Sequence, residues 1–181
     1  MKVTAFSGSP RKNGNSEILI HETLTTLKEQ GHETNFFRLN SLNIKPCQAD
    51  NACKKNDECV MKKDDMEQLY KEIDRSDALI LGSPVYMWQM SAQAKIFVDR
   101  LYAYYNPGKP SRLKGKSLVL IFTQGHPDAE LFKNYFDHTR TMFEFLGFTV
   151  KDVIVGANAQ SKGEIKENKK AMEQAKNVFK D

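Results

Sequence analysis

The chain has 181 residues, 40% of them hydrophobic and 28% charged, with a formal net charge of +4. That is length for one domain, 1–181, with a sizeable core, and its composition excludes wholesale disorder. No window approaches the ~18 consecutive apolar residues of a membrane span, and the mild positive excess does not point to nucleic acid.

The opening Met1-Lys2-Val3-Thr4-Ala5-Phe6 meets Ser7-Gly8 too soon to hold the apolar core of a secretion signal. All three cysteines fall between Cys47 and Cys59, which is not the pattern of a secreted disulfide framework. A cytoplasmic protein with a local cysteine feature is expected.

In chain order, Lys2–Phe6 reads as a short strand, followed by the polar stretch 7–16. Ile20, Leu24 and Leu27 then recur at helical spacing until Gly31 stops the helix. Thr34–Leu39 is a second strand. Asp64-Asp65 is placed to cap a helix whose inward stripe is Met66, Leu69, Tyr70 and Ile73. The apolar run Ala78–Leu81 predicts a strand buried on both faces and ending at Gly82-Ser83-Pro84. Ser91 is placed to cap the next helix, with Ala94, Phe97, Leu101 and Tyr104 facing inward. A fourth strand is expected over Ser117–Thr123, a helix from about Ala129 to Leu146, and a fifth strand over Phe148–Val155. A final helix is expected from about Lys162, with Ile165, Met172, Ala175 and Phe179 turned inward. Five strands with helical crossovers predict a doubly wound, three-layer α/β sheet. The one long irregular piece, Asn40–Lys63, is of a length that is usually functional.

Ligands of such sheets bind beyond the carboxyl ends of the strands, where the strand order reverses. Three loops are selected. The first joins hydroxyls (Ser7, Ser9, Ser16), amides (Asn13, Asn15), glycines (Gly8, Gly14) and Arg11 at a helix entrance. Helix N–H groups, the helix dipole and a guanidinium together favour an anion such as phosphate. The plain alternative is a hydrophilic turn capped by Asn15 or Ser16. The second loop, Ser83 to Ser91, brings Tyr86, Met87, the only Trp (Trp88) and Met90 to the pocket mouth. Such side chains suit a conjugated ring, and equally suit a covered core or a subunit interface. The third, Thr123-Gln124-Gly125-His126-Pro127, offers an amide for a ring's polar edge, and His126 reads more simply as an exposed loop histidine.

At these residues the chain resembles the NADPH-dependent FMN reductase branch of the flavodoxin-like superfamily, in particular its iron–sulfur flavoprotein-like group. Gly8–Ser16 resembles the GSPRxxGNT/S phosphate loop. Ser83-Pro84-Val85-Tyr86, Met90–Lys95 and Asp99-Arg100 resemble an SPVYW…MSAQ.K…DR block, and Cys59 with Asp64-Asp65-Met66 resembles a C…DDM junction. The resemblance implies a flavodoxin-like αβα sandwich with five parallel strands in the order 2-1-3-4-5. It implies FMN, with its phosphate held by Ser9, Arg11, Asn13, Asn15 and Ser16. Pro84, Val85, Tyr86, Met87 and Trp88 would then line the ring and ribityl chain, with Thr123, Gln124 and Gly125 at the ring's polar edge.

The implied activity passes electrons from NADH or NADPH through FMN to a small-molecule or redox-protein acceptor such as a quinone, flavin or nitro compound. No side chain is nominated as catalytic. The alternative is a flavin-bearing electron carrier without nicotinamide activity. Homodimers or homotetramers are also implied, with 40–63 and Tyr102-Ala103-Tyr104-Tyr105 as contact candidates.

The cysteine segment departs from the iron–sulfur members, whose compact run carries four cysteines. Here Cys47, Cys53 and Cys59 stand with Asp50 at the second position. A four-iron cluster normally takes four thiolates. The readings are a lost cluster with the loop retained, a cluster with Asp50 as the odd ligand, or thiols used for zinc or redox chemistry. Ligand count favours loss, and no metal is assigned.

Overall fold

The computed structural model describes Met1–Phe179. Its strands are β1 (Lys2–Ser7), β2 (Glu33–Arg38), β3 (Ala78–Tyr86), β4 (Gln89–Met90), β5 (Ser117–Thr123) and β6 (Thr149–Gly156). Its helices are α1 (Asn15–Glu29), α2 (Cys53–Asn56), α3 (Met66–Arg75), α4 (Ala92–Arg100), α5 (Lys133–Phe145) and α6 (Lys169–Asn177), with short 3₁₀ turns at Leu39–Ser41, Leu101–Tyr104 and Glu164–Glu167. The five long strands run parallel in the order β2-β1-β3-β5-β6. This is the expected 2-1-3-4-5 sheet. To it is added β4, a two-residue strand antiparallel to the end of β3 through Val85↔Met90 and Tyr86↔Gln89.

Period-two alternation along the central strands builds two cores. Val3, Ala5, Ala78, Ile80, Val119 and Ile121 face α1 and α6, where Leu19, Ile20, Leu24, Leu27, Ala171 and Ala175 meet them. Phe6, Leu79, Leu81, Leu118, Leu120 and Phe122 face α3, α4 and α5, meeting Met66, Leu69, Ile73, Ala94, Phe97, Phe136 and Phe143. Fully burying each Val, Leu, Ile, Phe or Met among them contributes about 1.5–3 kcal/mol, and each Ala less. The two filled layers therefore fix the sheet that positions the loops above it. Met172 and Phe179 pack against their core only partly buried.

Three boundaries differ from expectation by more than one residue. The third strand runs through Pro84 to Tyr86 instead of stopping at Gly82-Ser83-Pro84. Gly8 N–H donates to the Gly82 carbonyl at 2.7 Å, so Gly82, and two residues on Pro84, face β1. The β1 ladder ends at Ser7↔Gly82, so the N–H that proline lacks has no partner to lose. The fifth helix begins at Lys133 rather than near Ala129. Residues 129–132 are held as turns, with Asp128 Oδ1 accepting from Glu130 N–H at 2.9 Å. The last helix is split, because Asn168 caps a fresh start at Lys169 by accepting from Ala171 N–H at 3.0 Å.

Candidate functional site

Above the carboxyl ends of β1, β3 and β5 lies a cavity of about 370 Å³, within the size range of small-molecule sites. It is lined by Ser9, Arg11, Asn15, Ser16, Pro84, Val85, Tyr86, Thr123, Gln124, Gly125, Ala159 and Gln160. Ten of these stood in the sequence-derived set. The other three members of that set lie outside the lining. Asn13 is exposed at the back of the first loop with φ 55°. Met87 and Trp88 form the tip of the β3–β4 hairpin, 86% and 65% exposed.

The first loop is built almost entirely by its own polar groups. Ser7 Oγ accepts from Ser9 N–H at 3.3 Å, and Ser9 Oγ accepts from Arg11 N–H at 3.2 Å. The cap by Asn15 or Ser16 that the plain alternative calls for is not made. The α1 N-cap position is Gly14, and no side chain caps it. Asn15 turns instead to the loop after β6, donating to the Ala159 and Ser161 carbonyls at 2.8 Å each and accepting from Gly163 N–H at 2.8 Å. The Ser16 and Thr123 hydroxyls pair at 2.7 Å, tying the helix start to the end of β5. The first turn of α1, whose N–H groups lack intrahelical partners, therefore faces the cavity with a partial positive charge. Arg11 adds a full one, bridging to the Gln160 carbonyl at 3.0 Å. Ala159 and Gln160 gave no signal in the sequence, since only the β5–β6 register brings their loop here.

Beneath the loop, Glu17 is fully buried. Its carboxylate accepts from Arg38 Nε at 2.7 Å, Arg38 Nη2 at 2.8 Å, Asn13 N–H at 2.7 Å and Ser7 Oγ at 3.2 Å. Burial alone would raise its pKa, but the bonds from Arg38 and Asn13 outweigh that and hold the carboxyl below its ordinary 4.5.

The far wall is the β3–β4 hairpin. Met87 and Trp88, at φ 45° and 66°, both sit in the left-handed region that a two-residue hairpin turn demands. Trp88 packs edge-on against Phe132 at 5.8 Å, and Met90 N–H donates to Tyr135 Oη at 2.8 Å, so α5 holds the hairpin. Ser91 caps α4 as expected, accepting from Ala94 N–H at 3.2 Å, and donates to the Gly8 carbonyl at 2.6 Å. A Cβ on Gly8 would stand 2.6 Å from Ala94 Cβ, so only glycine lets the first loop lie this close to α4.

At the third loop Gln124 is buried, its Nε2 donating to the His126 carbonyl at 3.2 Å and the Asp128 carbonyl at 2.7 Å. Those bonds fix the amide and leave Oε1 buried without a donor. Gln124 lines the cavity, and a buried acceptor without a donor is uncommon enough to call for a partner.

The cysteine segment lies away from this cavity. Cys47, Cys53, Cys59 and Asp50 border a void of only about 20 Å³ beside Arg100. Among the described residues no three His, Cys, Asp or Glu side chains are gathered in a way that would hold a metal ion. Cys59 Sγ instead receives Arg100 Nη2 at 3.4 Å. The Arg100 guanidinium is almost fully buried, pairs with Asp64 and donates to the Lys45 carbonyl at 2.8 Å. Lys54 holds the other end of the segment, donating to the Tyr102 and Tyr105 carbonyls over the face of the Tyr102 ring. Among the described residues no helix is long and apolar enough to cross a membrane.

Comparison with known proteins agrees with this geometry. Residues 1–161 match the family model described as NADPH-dependent FMN reductase. An iron-sulfur flavoprotein of Methanocaldococcus jannaschii is 42% identical over 100 residues, 55% of this chain and 51% of that protein. One from Archaeoglobus fulgidus is 37% identical over 131 residues, 71% of this chain and 58% of its own length. The chain thus spans little more than half of these relatives. Among solved structures, the NAD(P)H:quinone oxidoreductase of Methanothermobacter marburgensis superposes with a TM-score of 0.77 at 17% identity, covering 100% of this chain and 97% of that one. An FMN-dependent NADH-azoreductase of Bacillus anthracis, solved with FMN, gives 0.68 at 12% identity, covering 99% of this chain and 100% of that one, and both establish a shared fold. With the model spanning all but the last 20 residues and the sheet order to match, the chain belongs to the NADPH-dependent FMN reductase family.

Proposed function

We propose that this protein is an FMN-dependent NAD(P)H oxidoreductase whose cofactor occupies the cavity between the first, second and third loops. The observation that carries the reading is the pairing, in one cavity, of an anion-binding end with a ring-binding end. Arg11 and the first turn of α1 line it together with Pro84, Val85, Tyr86 and Gln124, a residue whose buried Oε1 lacks a donor. FMN presents a phosphate to the first and a ring N–H to the second, so these residues fit it. When bound, FMN supplies the chemistry, accepting a hydride from a reduced nicotinamide and releasing electrons to an acceptor.

The chain's part is binding and orientation. Ser9, Arg11, Asn15 and Ser16 would hold the phosphate, with Asn13 contributing through the shape of the loop. Pro84, Val85 and Tyr86 would flank the ring and ribityl chain. Thr123, Gln124 and Gly125 would meet the ring's polar edge. Met87 and Trp88, exposed at the hairpin tip, would lie where a nicotinamide or an acceptor approaches, and Trp88, 65% exposed beside Phe132, offers a flat face for stacking. Quinones, flavins and nitro compounds are the acceptor classes. A homodimer or homotetramer in the cytoplasm completes the reading, the exposed Tyr102 and Phe145 being candidates for the subunit contact.

The test is anaerobic stopped-flow mixing of the flavin-loaded protein with NADH and with NADPH. Rapid bleaching of the oxidised-flavin band by either is expected. Bleaching by neither, with a partner reductase required, would favour the electron-carrier alternative, and a chain that takes up no FMN would remove both.

A further inference from the structure

Glu17 is a buried carboxylate that the cavity lining does not include, yet it touches both ends of the first loop. At the strand end it accepts from Ser7 Oγ at 3.2 Å, and that hydroxyl in turn accepts from Ser9 N–H at 3.3 Å. At the helix end it accepts from Asn13 N–H at 2.7 Å, where the chain is turned to φ 55°, a conformation that non-glycine residues rarely hold without support. Arg38, at the end of the edge strand β2, grips both carboxylate oxygens, at 2.7 and 2.8 Å. A two-pronged guanidinium–carboxylate pair fixes direction as well as distance.

An anion held under an anion-binding loop would repel phosphate if its charge were free. Arg38 neutralises it in place, so the carboxylate can serve geometry without opposing the ligand. We infer that Glu17, clamped by Arg38, is a positioning residue that presets the loop from Ser7 to Asn13 for the phosphate of FMN. The inference rests on the FMN reading above and adds two residues to it, neither of which touches the cavity. Aspartate at this position would be one methylene short of both anchors.

The test is a pair of titrations of the full-length, flavin-stripped protein with FMN and with riboflavin, which lacks the phosphate. In Glu17→Gln the carboxamide keeps the shape but loses the charge-assisted bonds. FMN binding is expected to weaken about tenfold or more while riboflavin binding stays unchanged. Arg38→Lys should move FMN in the same direction by less, and it serves as the readout if the first variant fails to fold. Tighter FMN binding in Glu17→Gln would show that its charge merely opposes the phosphate, and would overturn the inference. Equal weakening of both flavins, or no change in either, would overturn it too, marking Glu17 as a structural residue only. A wild-type chain that binds neither flavin would instead sink the FMN reading itself, and the inference with it.

Discussion

The residues that face the cavity make separable demands on a ligand, and Arg11 is the simplest to isolate. Its exposed guanidinium is already aimed at the cavity by the Gln160 carbonyl. Hydrogen bonds to a charged partner contribute about 1.5–3 kcal/mol, so Arg11→Ala should weaken FMN about 10- to 150-fold. Riboflavin should bind as before, and a fluorescence titration of both flavins checks it. Glu17 makes a prediction in pH. Its carboxyl lies below the ordinary glutamate value in the folded protein, so its contribution to stability is complete above the unfolded value of 4.5 and is lost as pH falls through the lower, folded one. Urea midpoints of the wild type and Glu17→Gln should differ most above that range and converge below it. A gap that stays constant with pH would contradict the assignment. Arg100 shows the opposite side of burial. Its partner Asp64 is equally buried, and Arg100→Met would leave that carboxylate without its guanidinium. Breaking such a pair costs about 3–5 kcal/mol. Removing both charges with Arg100→Met and Asp64→Leu should recover most of that loss in a thermal melt.

At the scale of elements, the β3–β4 hairpin holds two bulky side chains in left-handed backbone, at φ 45° and 66°. Left-handed backbone costs an ordinary residue about 1–2 kcal/mol, and asparagine much less. Met87 is 86% exposed, so little packing is lost with it. Met87→Asn should therefore stabilise the protein by about 1 kcal/mol, seen as a higher denaturant midpoint at unchanged slope. The close approach of the first loop to α4 is the converse case. In Gly8→Ala the new methyl meets Ala94 at 2.6 Å, and backbone must move. Overpacking of this kind costs about 1–3 kcal/mol, and here the shift also displaces the loop that would hold phosphate. A melt and an FMN titration should fall together. Helix α4 thus joins the cysteine segment, through Arg100 at its end, to the cavity, through Ser91 at its start.

For the molecule as a whole, a cofactor that binds only the folded state stabilises it by mass action. At FMN one hundred times above its dissociation constant the gain is about 2.7 kcal/mol, or roughly 5–10 °C in melting temperature for a chain of this size. A melt unchanged by saturating FMN would speak against the cavity as its site. The alternation of strands and helices was legible because it follows from local signals, whereas the strand order came only from the family resemblance. Apolar runs marked the central strands, and the polar loops at their carboxyl ends supply ten of the residues that line the cavity. Strand and helix ends were less legible. Pro84 reads as a stop, but it continues β3 because the neighbouring ladder has already ended.

The chain by itself determined the alternating pattern of strands and helices, the gathering of hydroxyls, amides, glycines and Arg11 in residues 7–16 and the one-ligand deficit of the cysteine segment, since each depends on residue type and spacing alone. Only the tertiary structure decided which of those residues meet. Crossovers of very different length bring the loops after β1, β3, β5 and β6 to one edge. That places Gln160 against Arg11 and Arg38 against Glu17, pairs separated by 149 and 21 residues. It also leaves Asn13, Met87 and Trp88 outside the lining of the cavity they neighbour in sequence. Long-range pairing of this kind is set by the packing of two hydrophobic layers on one sheet, and no local window contains it.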